Sequence, residues 1–234
     1  MASAGRPRRP DKERALSRII DLSHVVREGM TTYPGLPGPA IADHLSRDAS
    51  RERYAPGIEF QIGVITLVAN TGTYLDAPFH RYPDGADLAG VDLSRVVARD
   101  GVLVDATAAG RAITREAFGA RPVTDRAVLV RTGWDRHWGT DHYGAPDHPF
   151  LTADAVQWLV AQRPSVVGID SVNIDDMADL TRPAHSALLA AGIPIVEHLC
   201  GLDALPPDGF VLHAAPVPVA GMGTFPVRAY AVVG

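Results

Sequence analysis

At 234 residues, with 46% hydrophobic side chains and a net charge of −5, the chain can bury a substantial core and has no basic face that would suit nucleic acid. No apolar run approaches the roughly 20 residues that span a bilayer, and no apolar segment follows the N-terminal charges as a secretory signal would require. The single cysteine, Cys200, excludes an internal disulfide and fits a reducing cytoplasm; between Leu199 and Gly201-Leu202 it reads as a small buried thiol, not a nucleophile.

Residues 1–15, including Arg6-Pro7-Arg8-Arg9-Pro10-Asp11-Lys12, are charged, proline-broken and short of anything to bury. They are expected to form a mobile tail ahead of a single domain over 16–234, since no repeat or linker divides the rest. The pattern predicts strands at 19–22, 60–68, 101–105, 127–131, 166–169, 193–197, 210–214 and 229–232. Helices are predicted at 93–98, 114–119, 152–162 and 183–191. The helix over 152–162 has the fullest signal: Thr152 as N-cap, Asp154 in the first turn, Ala155, Val156, Leu159 and Val160 on one stripe, and Pro164 beyond its end. Many strands with few helices give a mixed α/β domain.

Between the second and third of these strands, Asn70-Thr71-Gly72-Thr73-Tyr74-Leu75-Asp76-Ala77-Pro78-Phe79-His80 carries the most chemistry. An apolar run reaching Asn70 meets a glycine turn at Gly72. Tyr74 and Asp76, two apart, point to one face of an extended chain, and Pro78 ends any ladder. A carboxylate thus stands beside a phenol with His80 next in line. A capping Asp and a surface His are the ordinary alternative, weakened here by the density of polar groups directly after an apolar strand.

The later part of the chain offers partners for it. Helix 183–191 has His185 in its first turn and Gly192 as its stop, and the buried strand run after it ends at Glu197. The helix spans roughly 10 Å and the strand covers about 13 to 16 Å in return, which lets His185 and Glu197 meet at one end. His185 has the competing role of contacting its own cap. Glu197, among Ile193, Ile195, Val196 and Leu199, is costly to bury without a partner. The segment 134–143, rich in Trp, His and Tyr, is expected to be a lid or a dimer contact; a zinc site from His137, His142 and His148 has no compact ligand spacing, and a packed loop is the preferred alternative.

The 70–80 run resembles the H-x-G-T-H-x-D-A-P-x-H signature of the cyclase family that includes bacterial kynurenine formamidase and isatin hydrolase. Asp21-Leu22-Ser23-His24, Tyr33-Pro34-Gly35, Arg131-Thr132-Gly133-Trp134, Gly168-Ile169-Asp170-Ser171, His185-Ser186-Ala187-Leu188-Leu189, Gly192 to Leu199 and Pro226-Val227-Arg228-Ala229 agree with it, so the resemblance runs from about residue 19 to 233. It implies a β-barrel-like mixed sheet with flanking helices, of the swivelling β/β/α type, in a homodimer or larger oligomer. It implies a metal site made of Asp76, His185 and Glu197, with His80 as a proton-transfer group. Two ligands of the family pattern are absent, since Asn70 and Tyr74 stand where histidines would, and neither a neutral amide nor a phenol of pKa near 10 is a good ligand. A zinc or manganese ion is therefore expected in a weakened, partial site, with no metal at all as the alternative.

The catalytic candidates are Asp76, His80, Glu197 and Tyr74; Asn70, Tyr33, Phe79, Trp134 and Asp170 are the candidates for holding a small-molecule substrate. Placed first is hydrolysis of a small amide, lactam or lactone. The alternative is a metal-independent acid/base cyclase or dehydratase acting on a polyketide-like intermediate, with Glu197 or Asp76 as acid or base and Tyr74 and Asn70 as donors to an oxyanion. A binding relative without catalysis is third.

Overall fold

The computed structural model describes residues 17–234; the tail expected over 1–15 lies outside the described residues. In chain order the elements are β1 (Arg18–Asp21), β2 (Ala40–Leu45), α1 (Arg47–Arg51), β3 (Ile62–Thr66), β4 (Tyr74–Asp76), β5 (Arg99–Asp105), β6 (Ala112–Ile113), β7 (Ala127–Arg131), β8 (Phe150–Leu151), α2 (Ala153–Gln162), β9 (Val166–Ile169), α3 (Pro183–Ala190), β10 (Ile195–Glu197), β11 (Asp208–His213), β12 (Thr224–Pro226) and β13 (Tyr230–Val233).

Nine strands form one sheet in the order β1-β13-β11-β5-β7-β9-β10-β4-β12. Its centre, β5-β7-β9-β10, is parallel, and its near-continuous Val, Ile and Leu runs are buried on both faces, as a covered parallel sheet demands. Alternation divides them between two cores. Leu103 and Leu129 join Leu75, Val196 and Phe210 on one side. Val102, Val104, Val128 and Val130 pack with Leu159 of α2 and Leu188 of α3 on the other. The sheet curls into a half-barrel: the continuation of β1 meets that of β10 through a Ser23–Leu199 bridge and a Cys200 N–H to Leu22 O bond of 3.1 Å. Phe210 lies flat on Gly101, where any Cβ would sit 1.9 Å from its ring.

The eight expected strands all occur. The 60–68 strand, however, is β3, shorter than expected and outside the main sheet; it pairs only with β2, in a ribbon whose β3 residues are all exposed. Both short helices are corrected to single 3-10 turns, Leu93–Arg95 and Arg115–Phe118. The first turns on an Asp92 side chain that accepts from Ser94 N–H, and the second stops at Gly119 with φ +57°. Helix α2 starts after Thr152 as expected, but the Thr152 hydroxyl bonds Ile113 O and Asp154 instead of capping its own helix.

Candidate active site

The three-residue strand β4 positions the site, because it is hydrogen-bonded on both sides. Its register with β10 sets Tyr74 opposite Glu197, and its register with β12 sets Asp76 opposite Thr224. Directly opposed residues on one face of a sheet are in reach of each other. Accordingly the Tyr74 hydroxyl donates to Glu197 Oε2 at 2.7 Å, and the Thr224 hydroxyl donates to Asp76 Oδ1. Leu75, between them, points into the core on the other side. Gly223 permits this fit of β12, since a Cβ there would meet the His80 backbone nitrogen at 2.2 Å.

Helix α3 delivers His185 to the same face. Arg182 and Pro183 begin the helix without a capping side chain of their own; Asp175 supplies the cap from a distance, accepting from Ala184 N–H at 2.5 Å and His185 N–H at 3.1 Å. The same carboxylate holds His185 Nδ1 at 2.6 Å. His185 therefore does contact its cap, and that contact turns Nε2 toward Asp76 Oδ2 at 3.7 Å and Glu197 Oε1 at 3.8 Å. An imidazole oriented by a carboxylate on its far nitrogen is the usual support of a metal-binding histidine. His80 joins from the 3-10 turn Pro78–His80, with Nδ1 at 2.7 Å from Thr224 Oγ1 and 3.7 Å from Asp76 Oδ1. Because the Thr224 proton goes to Asp76, His80 must carry its hydrogen on Nδ1, and Nε2 is left as an acceptor.

The electrostatics follow from burial and charge. Burial pushes the Asp76 carboxyl up, but the nearby imidazoles of His185 and His80 and the Thr224 hydroxyl together bring it below its ordinary value. His185 is raised well above its ordinary value: burial opposes this, and Glu197, Asp175 and Asp76 outweigh it. Burial raises Glu197 to about 7, with Asp76 adding to the rise and His185, Tyr74 and Ile174 N–H opposing it.

A divalent ion fits one place here. Asp76, His80 and His185 present donor atoms within 4.8 Å of one another, and Asp76 Oδ2 is buried with no hydrogen-bond partner, an arrangement otherwise costly. Glu197 borders this cluster without belonging to it. Both its oxygens are engaged, Oε2 by Tyr74 and Oε1 by Ile174 N–H at 2.7 Å.

Beside the cluster runs a chain with no free donor or acceptor. Tyr143 O–H meets His198 Nδ1 at 2.8 Å, His198 Nε2 meets the Tyr74 oxygen at 3.1 Å, and Tyr74 donates to Glu197. Every proton points the same way along it, provided His198 is neutral, and burial holds that imidazole down to about 3. Burial first, then the charges of Glu197 and Asp76, keep the Tyr74 phenol protonated, against the pull of the Asn70 amide. Tyr74 is thus a hydrogen-bond donor to Glu197.

These groups open into a cavity of about 320 Å³ lined by Tyr33, Leu36, Asn70, Tyr74, His80, Arg81, Asn173, Arg182, His185 and Glu197. Four side chains expected together are therefore together, with Tyr33 and Asn70 at the wall. Three expected substrate contacts are not. Phe79 is outside the cavity lining. Trp134 is buried with Tyr143 and Val172, its Nε1–H on Tyr143 O at 2.9 Å. Asp170 is a buried strap between the end of β9 and the turn after β7, accepting from Thr132 N–H at 2.7 Å, the Thr132 hydroxyl at 2.6 Å and Gly133 N–H at 2.9 Å. The 134–143 segment folds as two 3-10 turns packed around Trp134. His148, buried on Pro149 O and Ser171, stays apart from the His137–His142 pair. Burial raises Cys200 to about 12, as suits an inert thiol.

Asp175, His198, Tyr143 and Thr224 were not singled out for the site by sequence. Only Asp175 left a signal, in a helix that starts at Pro183 with Arg182, and not a Ser, Thr, Asp or Asn, at its N-cap. The others reach the site through strand register and tertiary packing.

Comparison with known proteins agrees with this geometry. Residues 20–176 match the model of a family described as "Putative cyclase". Kynurenine formamidase of Sphingopyxis alaskensis is 27% identical over 221 residues, covering 92% of this chain and 97% of that protein; the Bordetella avium enzyme of the same name is 28% identical over 218 residues, with the same coverage. Isatin hydrolase A from Labrenzia aggregata, bound to benzyl benzoate, superposes with a TM-score of 0.80 at 25% identity, covering 93% of this chain and 94% of that one. A protein from Bacillus stearothermophilus described as a predicted metal-dependent hydrolase gives 0.74 at 25% identity, covering 93% and 99%. The chain belongs to the cyclase family.

Proposed function

We propose that this chain hydrolyses a small amide, lactam or lactone, with at most one divalent ion in its site. The observation that carries the reading is the partnerless Asp76 oxygen, buried beside two imidazoles. Asp76 and His185 would hold the ion, with His80 and Glu197 at its border. When bound, such an ion supplies Lewis acidity, polarising a carbonyl and bringing water toward neutrality.

The remaining work falls to this chain's own residues. Glu197, raised to about 7, is poised to take a proton from attacking water and return it. Tyr74 donates to Glu197 and accepts from His198 Nε2–H, which fixes the carboxylate that handles the proton. His80, at the mouth with Nε2 able to accept, relays the proton that Glu197 takes from water to the leaving nitrogen. Hydrolysis consumes one water and yields the acid and the amine. The relatives named kynurenine formamidase and isatin hydrolase support cleavage of a C–N bond, with zinc or manganese as candidate ions.

A second reading, metal-independent ring closure or dehydration, draws on Glu197 and Tyr74 as an acid/base pair inside the cavity. Elemental mass spectrometry on protein purified without tag or chelator, combined with EDTA treatment during hydrolysis of N-formylkynurenine and simple lactams, separates the two. About one Zn or Mn per chain, with activity lost on chelation and restored by the metal, is expected. Turnover that survives with no metal present supports the second reading. We also infer a homodimer or larger oligomer built on the exposed β2–β3 ribbon, where Ile41, Ile62, Val64 and Ile65 stand in solvent; light scattering checks it, and a monomer at micromolar concentration would sink it.

A further inference from the structure

The cavity has two ends of opposite charge. Its floor holds the carboxylates of Asp76 and Glu197, both buried, with Asp175 beneath His185. Its rim holds two guanidinium groups, Arg81 and Arg182. Arg81 directly follows His80 and closes the 3-10 turn, its guanidinium 5.2 Å from the Tyr82 ring centroid. Arg182 is half-buried in front of Pro183, in a left-handed conformation with φ +50°, which a residue with a side chain adopts at a cost.

Neither arginine has a carboxylate within 4 Å among the described residues, and what sets them apart from the other arginines without one is that both line the cavity. Among the described residues the one polar contact of the Arg182 side chain is Asn173 Oδ1 at 3.4 Å, itself a lining residue. The neighbouring Asp179 is occupied, accepting from Thr181 N–H at 2.9 Å and the Thr181 hydroxyl at 2.6 Å. In a chain with more acids than bases, two unpaired arginines on one cavity rim are a standing receptor for an anion, and a planar fork of donors matches a carboxylate.

From this arrangement we propose that the substrate carries a carboxylate, held at the rim by Arg81 and Arg182, and that this contact sets which end of the molecule enters. The inference rests on the hydrolase reading and narrows it to anionic amides or lactones. The rim attracts the carboxylate, and the orientation that satisfies it brings the scissile carbonyl to the floor, between His80 and His185. Tyr33 and Leu36 supply an apolar wall for the body of the molecule, and about 320 Å³ admits one substituted ring and little more. Neutral substrates lack the orienting group. Arg81 and Arg182 are substrate-positioning residues that leave bond breaking to the floor.

The test uses the full chain and two probes of nearly equal shape, 2-formamidobenzoate and its methyl ester. The acid should exceed the ester in kcat/KM by about ten- to a hundredfold, the range of a charge-assisted contact. Arg182→Gln and Arg81→Gln should each raise KM for the acid by about tenfold, change kcat little, and leave the ester unaffected. Arg182→Lys, which keeps the charge but not the fork, should fall between; circular dichroism and melting temperature check that each variant is folded. Equal turnover of acid and ester, or variants that slow both alike, would overturn the proposal while leaving the hydrolase reading intact. If neither probe is hydrolysed, the hydrolase reading is in trouble, and calorimetric binding decides the anion site by itself. Acid bound more tightly than ester, with the preference lost in Arg182→Gln, upholds it; no preference refutes it.

Discussion

The two halves of the cavity floor are built from the same short strand and end up as chemical opposites. Around Asp76 the donor and acceptor count is left open, with one carboxylate oxygen and the nearby ring nitrogens free to take a further partner. Around Tyr74 it is closed, because each atom of the Tyr143–His198–Tyr74–Glu197 chain has its mate. An open polar cluster in a buried place is costly unless something binds it, whereas a closed one stiffens the structure and holds protons in place. One half is therefore read as the place of binding and reaction, and the other as the device that fixes Glu197 beside it.

The largest effect should come from the open half. Asp76→Ala is expected to lower kcat/KM by about 10³-fold or more and to remove bound metal to background; full metal occupancy in that variant would break the division between the halves. From the closed half, Tyr74→Phe deletes the central link and strands Glu197 Oε2 and His198 Nε2. It should cost about 1–3 kcal/mol of stability and about a hundredfold in kcat, with metal content unchanged. The converse experiment sharpens the contrast: Asn70→His with Tyr74→His restores the two imidazoles that the family signature carries, and metal per chain should rise from one to two. A double variant that still holds one would show that the closed half is not an edited ligand position.

The pH dependence of stability probes the closed half by itself. His198, ordinarily titrating near 6.5, is held down to about 3 by burial, so the folded chain favours its neutral form. Its contribution is complete above pH 6.5 and is lost as the pH falls from 6.5 toward 3. At pH 5 the loss should be about 2 kcal/mol, taking 1.36 kcal/mol for each pH step below 6.5. His24, lowered to about 4 by burial, adds to the same trend. Thermal melts between pH 7 and 5 should show the wild type falling more steeply than His198→Gln, and parallel curves would mean that His198 titrates normally.

How far the sequence reaches into this site depends on the kind of contact involved. His185 and Glu197 were legible at the start of a helix and the end of a strand that the pattern shows, and Asp76 and His80 because the family signature names their positions. At Tyr74 the departure from the family signature is plain in the sequence, whereas the hydrogen-bond chain that this residue joins is not. Nothing in the residues around 143 or 198 announces a chain of hydrogen bonds that closes over more than a hundred positions of sequence. Phe79, Trp134 and Asp170 were misplaced for a related reason, since proximity along the chain to a motif does not say which face of a strand or turn a side chain takes. The main sheet was legible where apolar runs are long; β4 and β12, three residues each, carry too little pattern to declare themselves, although they position the whole site.

The smallest effect expected is also the one that joins the two halves to the mouth. The Thr224 hydroxyl donates to Asp76 and accepts from His80, so a single side chain orients the open carboxylate and fixes the tautomer of the proton carrier. Thr224→Val keeps the shape and removes both bonds. Asp76 then loses a donor and His80 is free to turn or to place its hydrogen on Nε2, where it no longer accepts. The expected result is about a tenfold loss of kcat, the lower end for a residue that orients groups at a metal. The melting temperature should barely move, because the valine fills the same space. Thr224→Ser retains the hydroxyl and should stay near wild-type activity. Equal losses in the valine and serine variants would mean that packing of β12 against His80, and not the hydroxyl, is what the position provides.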